Sequence, residues 1–107
     1  MAARKKPTDP LRDCVPMLRA LADPARMDIV RALAAGPRAV SALAAETGLT
    51  LYTTSRHLKM LKDAGLAEMK AIAQQRIYSL SSGITDALAR NHGVLELGCC
   101  SFRLGGG

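Results

Sequence analysis

Between Val40 and Leu66 two stretches of helical apolar spacing stand almost back to back, and this restricts the fold more than any other feature of the chain. Val40, Leu43 and Ala44 mark a short helix, with Ser41 near its start, and Gly48 closes it. Thr50 then offers a hydroxyl cap for a longer helix running to about Ala64. Gly65 ends that helix, and Leu66 is expected to pack behind it. Two helices joined by so tight a glycine turn must fold sharply on each other, which is helix-turn-helix grammar.

The flanks supply the rest of one domain. From Pro10 to Ala22, Leu11, Val15, Leu18 and Leu21 keep helical spacing, with Pro16 either kinking the stretch or delaying its regular part. Asp23-Pro24 is a helix start, Asp as cap and Pro in the first turn. The helix that follows carries Met27, Val30, Leu33 and Ala34 on one face with Ile29 beside them, and Gly36-Pro37 ends it, Gly as left-handed cap. Downstream, residues 67–73 (AEMKAIA) and 76–81 (RIYSLS) alternate as two short strands around Gln74-Gln75, a β-hairpin whose turn has no Gly, Asn or Asp. Residues 84–92 read as a helix with Ile84, Leu88 and Ala87 inward. The stretch VLELGCCSFRL at 94–104 fits helix or strand equally. Residues 1–9 read as a flexible basic arm, 105–107 as a disordered tail, and 10–104 as a single domain, mainly α with a small β-hairpin.

Composition narrows the partners. With no Trp, one Phe (Phe102) and two Tyr (Tyr52 and Tyr78), the core must be aliphatic. No apolar run approaches the roughly 18–20 residues of a membrane span. The start, Met-Ala-Ala-Arg-Lys-Lys-Pro, has no apolar segment behind it, so a secretory signal is not expected and a cytoplasmic protein is. Fifteen Lys+Arg against nine Asp+Glu leave a charge of +6, which points to a polyanion, nucleic acid before membrane, against the plainer reading of solubility alone.

Where the cations sit decides between these. At about 100° per residue, Thr54, Leu58 and Leu61 face the core, while Tyr52, Arg56 and Lys59 lie opposite, flanked by Thr53 and Met60, with Ser55 and Lys62 along the other edge. Three basic residues and no acidic one lie between Thr50 and Lys62. Such a face suits a major groove: Arg pairs with guanine, Ser and Thr reach bases or phosphates, and Lys neutralises phosphate. An ordinary solvated helix face has the same composition, and only the tight turn before it and the hairpin after it favour the groove. The candidate DNA contacts on this helix are therefore Thr50, Tyr52, Thr53, Ser55, Arg56, His57, Lys59 and Lys62. His57 lies beside the core stripe and suits a core or capping role as well as it suits DNA.

Residues 21–35 (LADPARMDIVRALAA) resemble the "LADPTRLRILRLL" opening of the ArsR/SmtB family of repressors, and residues 50–66 (TLYTTSRHLKMLKDAGL) resemble its "SQSTVSRHLKVLREAGL" recognition helix. Residues 76–81 look like the second strand of its wing; the tip lacks the family's usual Gly, and the resemblance puts the wing's DNA contacts at Gln74, Gln75 and Arg76. The resemblance covers residues 18–81 and implies a winged helix-turn-helix fold, a homodimer on a partly palindromic operator in double-stranded DNA, and relief of repression by a metal or other inducer. It places Leu11, Val15, Leu18 and the residues after Gly83 at the subunit contact. Two departures matter. Where the family carries its "ELCVCDL" metalloid cysteines, this chain has Arg38-Ala39-Val40-Ser41-Ala42-Leu43, and Asp86 and His92 lack the spacing of the family's zinc site.

Cys14, Cys99 and Cys100 are the remaining chemistry. An odd number of thiols with no signal segment argues against a disulfide framework. If the first helix and the C-terminal segment meet, three thiolates would suit As(III), Sb(III) or Hg(II), or Cd(II) or Zn(II) with one more ligand. Thiol oxidation and simple packing are the alternatives. No DNA-binding cofactor is required and no catalytic constellation appears, so an enzyme is not expected; a winged-helix module serving protein–protein contact alone is the competing class.

Overall fold

Helix α1 (Val15–Leu21) begins where proline allows it. The computed structural model describes residues 14–97 and 100–104; the expected arm at 1–9, the tail at 105–107, Leu11 and Cys99 lie outside the described residues. Cys14 occupies the N-cap position and Pro16 falls in the first turn, where its missing N–H removes no helical bond. Proline thus sets the start of the regular helix rather than kinking it. Val15 is exposed, while Cys14, Ala20 and Leu21 are buried.

Helix α2 (Pro24–Ala34) starts on Asp23, whose Oδ2 accepts from the Arg26 N–H at 3.0 Å. Its buried stripe is Arg26, Ile29, Val30 and Leu33. Ile29 is therefore central rather than lateral, and Met27 and Ala34 are peripheral, because the stripe is set by Ile29 and Leu33 at i, i+4. Gly36 follows at φ 146°, a conformation that favours glycine but not the left-handed helical cap expected of it.

Arg38–Ala39 forms a two-residue strand, β1, which sequence periodicity is too short to show. Helix α3 (Val40–Thr47) buries Val40, Leu43 and Ala44, and Gly48 caps it at φ 76°, donating its N–H to the Ala44 carbonyl at 2.9 Å. Helix α4 (Leu51–Asp63) follows on Thr50, whose Oγ1 accepts from the Thr53 N–H at 3.1 Å. Thr54, Leu58 and Leu61 are buried as the spacing predicts, and the buried Thr54 hydroxyl donates to the Thr50 carbonyl at 2.8 Å. Leu66 sits behind the turn, fully buried.

Strands β2 (Ala67–Ile72) and β3 (Gln75–Leu80) make the hairpin, and β1 pairs with β3, so the order is β1-β3-β2, all antiparallel. Met69 lies opposite Tyr78 and Ile72 opposite Gln75, which places the turn at Ala73-Gln74, one residue before the expected Gln74-Gln75. The register follows Tyr78 and Leu80, which both bury toward the core. Ala73 takes up the left-handed strain at φ 56°.

Helix α5 (Ser82–Arg90) buries Ile84 and Leu88, with Ala87 half-buried. Then β4 (Val94–Glu96) pairs antiparallel with β5 (Ser101–Arg103), so the C-terminal stretch is strand. The core is aliphatic, centred on Ile29, Leu43, Leu58, Leu61 and Leu66, with Tyr78 its aromatic member. Among the described residues no helix is long and apolar enough to cross a membrane.

Candidate nucleic-acid interface

With Thr54, Leu58 and Leu61 locked inward, the opposite side of α4 has nowhere to go but outward. Tyr52 is 70% exposed, and Arg56, Lys59 and Lys62 are exposed beside it. Arg56 does not wave freely. Its guanidinium lies 5.7 Å from the centroid of the Tyr52 ring and its Nη1 donates to the Tyr52 hydroxyl at 3.3 Å, one helical turn apart. Lys59 pairs with Asp63 at 3.1 Å, an exposed i, i+4 bridge that water and salt screen and a phosphate can replace. Asp63 lies just past the acid-free stretch from Thr50 to Lys62.

The wing faces the same space. A cleft of about 340 Å³ runs between α4 and the β2–β3 hairpin, with Ser55, Arg56, Lys59 and Lys62 on one wall and Arg76 on the other. A smaller hollow of about 230 Å³ brings Gln74, Gln75 and Arg76 beside Ser41, Leu51 and Ser55. Tyr52, Ser55, Arg56, Lys59 and Lys62 of the helix and Gln74, Gln75 and Arg76 of the wing thus line two hollows that share Ser55 and Arg76, whereas Thr50, Thr53 and His57 line neither. Thr50 and Thr53 are committed in part to the cap, the Thr50 hydroxyl donating to the Thr53 Oγ1 at 3.0 Å. His57 turns toward the interior: its Nδ1 lies 3.2 Å from Arg26 Nη1.

Sequence reasoning passed over two residues. Leu51 belongs to the Thr54–Leu58–Leu61 stripe by spacing, yet it is 58% exposed because the first turn of α4 overhangs the core. An exposed Leu at that end of the helix offers an apolar contact for a thymine methyl. Arg26 precedes Ile29, Val30 and Leu33 at i, i+3, i+4 and i+7, so helical arithmetic alone places it on the buried face; its charge concealed it.

Electrostatics at the helix starts follow the caps. The Arg26 N–H bonded to Asp23 holds that carboxyl below its ordinary 3.8, the nearby Arg26 charge adding to the effect.

Cys14 and Cys100 mark a second locus, where the start of α1 meets the end of β4. Cys14 is buried and disulfide-bonded, which corrects the expectation that the odd number of cysteines leaves its thiol free. Its Sγ lies 3.1 Å from the Leu97 carbonyl oxygen, where a reduced thiol would find an acceptor for its proton. The Leu97 N–H donates to the Cys100 carbonyl at 2.9 Å, closing the β4–β5 turn, and Cys100 is half-buried. The expected approach of Cys14 to the C-terminal segment is thus present. Among the described residues no three His, Cys, Asp or Glu side chains are grouped to hold a metal ion.

Comparison with known proteins agrees with this geometry. A helix-turn-helix domain profile matches residues 21–70. The chain is 40% identical over 63 residues to the HTH-type transcriptional regulator Rv0324 of Mycobacterium tuberculosis, covering 59% of this chain and 28% of that protein. It is 32% identical over 73 residues to the HTH-type transcriptional regulator YgaV of Escherichia coli, covering 67% of this chain and 74% of that one. Among solved structures, the homodimeric winged helix-turn-helix DNA-binding domain Mb0332 (fragment 1–100) of Mycobacterium bovis, described as a possible ArsR-family transcriptional regulator, superposes with a TM-score of 0.66 at 31% identity, over 77% of this chain and 82% of that one. The chain belongs to the ArsR family of winged helix-turn-helix transcriptional regulators. As an ArsR-family protein it presents α3 and α4 as the helix-turn-helix and β2–β3 as the wing. The chain spans little more than a quarter of the Mycobacterium tuberculosis regulator, 28% of its length.

Proposed function

We propose that this ArsR-family regulator is a cytoplasmic, homodimeric repressor that lays α4 in the major groove of each operator half-site and is released by chemistry at its cysteines. One observation carries the DNA reading: Arg56, Lys59 and Lys62 of α4 and Arg76 of the wing converge on one cleft, and no carboxylate among the described residues lines it. A cation cluster of this kind is stabilised by phosphates and by guanine edges. Two α4 helices related by a dimer axis would meet half-sites about one turn of duplex apart. The homodimeric state of the Mycobacterium bovis domain supports the assembly, and Val15 and Leu18 of α1 with the segment after Gly83 supply its surface.

For the signal there are two readings. A thiophilic ion, As(III), Sb(III), Hg(II), Cd(II) or Zn(II), would take Cys14, Cys99 and Cys100 as ligands. Oxidation of the thiols is the second, and the disulfide at Cys14 favours it. Fluorescence anisotropy on labelled DNA from upstream of the gene tests both parts. Tight binding that weakens steeply with salt supports the repressor reading; affinity indifferent to salt supports a protein-interaction module instead. Arsenite, Cd(II), Hg(II) and peroxide added separately to the complex identify the releasing chemistry, and a complex that resists all of them removes the cysteines from regulation.

A further inference from the structure

Arg26 is a buried cation that makes no ion pair among the described residues, although the Asp23 carboxylate lies near enough to feel its charge. Only 9% of the residue is exposed, and its side-chain partners are two carbonyls, an imidazole and a thioether. A charge in that position persists only where hydrogen bonds replace its water. Nε donates to the Ala20 carbonyl at 2.6 Å and Nη2 to the Arg19 carbonyl at 3.2 Å. These are last-turn carbonyls of α1, where the helix dipole favours a cation, and that of Arg19 also accepts from the Ala22 N–H at 3.3 Å. Nη1 reaches the other way, to His57 Nδ1 at 3.2 Å and Met60 Sδ at 3.4 Å, both on α4. The fork of one guanidinium therefore spans from the end of α1 to the middle of α4, while its own backbone N–H is fixed by Asp23.

Helices α1 and α4 also share the core, Ala20 and Leu21 lying in one buried cluster with Leu58 and Leu61, but their contact is incomplete. A hollow of about 310 Å³ separates the helices, bordered by Pro16, Arg19 and Ala20 on one side and Met60, Asp63 and Ala64 on the other. Helix α1 has only seven residues, and Cys14 is its N-cap. On α4, His57 and Met60 each follow by one residue a cation of the groove face, Arg56 and Lys59. We infer that Arg26 is the positioning residue through which the bonding state of Cys14 sets the pose of α4. When a dithiol reductant cleaves the Cys14 disulfide to two thiols and itself becomes a disulfide, or peroxide re-forms the bond and leaves as two waters, a shift of α1 moves the carbonyls of Arg19 and Ala20, and the guanidinium carries that movement to the recognition helix. The inference rests on the thiol-oxidation reading above.

The test compares the intact wild-type chain with Arg26→Gln and Arg26→Lys, each oxidised and reduced. Amide chemical shifts across α4 are read without DNA, and affinity is read by anisotropy with it. Arg26→Lys keeps the charge and guards against loss of folding, but one ammonium cannot span both helices; thermal melts select the variant used. Wild-type α4 shifts on reduction, with an affinity ratio between the two states in the usual allosteric range of roughly 5–150-fold, are expected. In the Arg26 variant the α4 shifts vanish and the ratio falls toward 1. Equal α4 shifts in wild type and variant overturn the inference. Wild-type affinity that changes while α4 stays still overturns it and leaves the oxidation reading standing; affinity and α4 that both ignore reduction overturn the two together.

Discussion

Arg56 reaches the solvent already oriented. The Tyr52 ring beneath it and the hydroxyl at its tip restrict its rotamers before DNA arrives, which lowers the entropy lost when the guanidinium pairs with a base edge. Arg56→Ala is expected to weaken operator binding by about 1–3 kcal/mol per half-site and to leave the oligomeric state unchanged by size-exclusion chromatography. Normal affinity in that variant would remove Arg56 from the groove. Asp23 makes a prediction about acid. Its carboxyl is lowered in the fold by the Arg26 N–H, so the charged form is the one the native state prefers. The stability it contributes is present above its ordinary 3.8 and is lost as pH falls through the depressed folded value. Asp23→Ala should therefore lower the melting temperature at neutral pH, and the gap from wild type should close in strong acid. At this scale the buried stripe of α4 was legible, since Thr54, Leu58 and Leu61 are all apolar or hydroxyl at helical spacing. Arg26 was not, because a charged residue is read as solvated unless its position on the stripe outweighs its chemistry.

As an element, α4 is held by a cap at one end and a stripe along its length, and the two are separable. Thr50→Ala removes the acceptor for the Thr53 N–H and should destabilise the protein by about 1 kcal/mol. Leu58→Ala empties a fully buried site and should cost about 2–5 kcal/mol in chemical denaturation. If the larger loss followed Thr50→Ala, the stripe would not be what secures the helix. The wing strands were legible from alternation ending in Tyr78 and Leu80. Their turn was misplaced by one residue because no glycine marks it, and the left-handed position falls on Ala73. Strand β1 has two residues, too few to show a period, and only its pairing with β3 defines it. The C-terminal stretch was ambiguous for a related reason: β4 and β5 have three residues each, shorter than either pattern needs.

For the whole molecule, charge is the measurable quantity. Three to four cations per half-site, doubled in a dimer, should give a slope of log affinity against log salt of roughly −5 to −7, and Arg76→Ala in both wings should flatten it by about 2. A slope near zero, measured across salt by anisotropy, would contradict phosphate contact altogether. The pairing of β1 with β3 has one more effect on this scale. Arg38 and Ala39 stand directly before α3, and they are stitched to the central strand of the wing. Through α3, which packs on the reading helix, that pairing ties helix and wing into one frame, like the jaws of a gauge whose spacing is set before the duplex arrives. The duplex must adjust instead, so promoters differing only in the stiffness of base steps that no side chain touches should still be ranked by this protein.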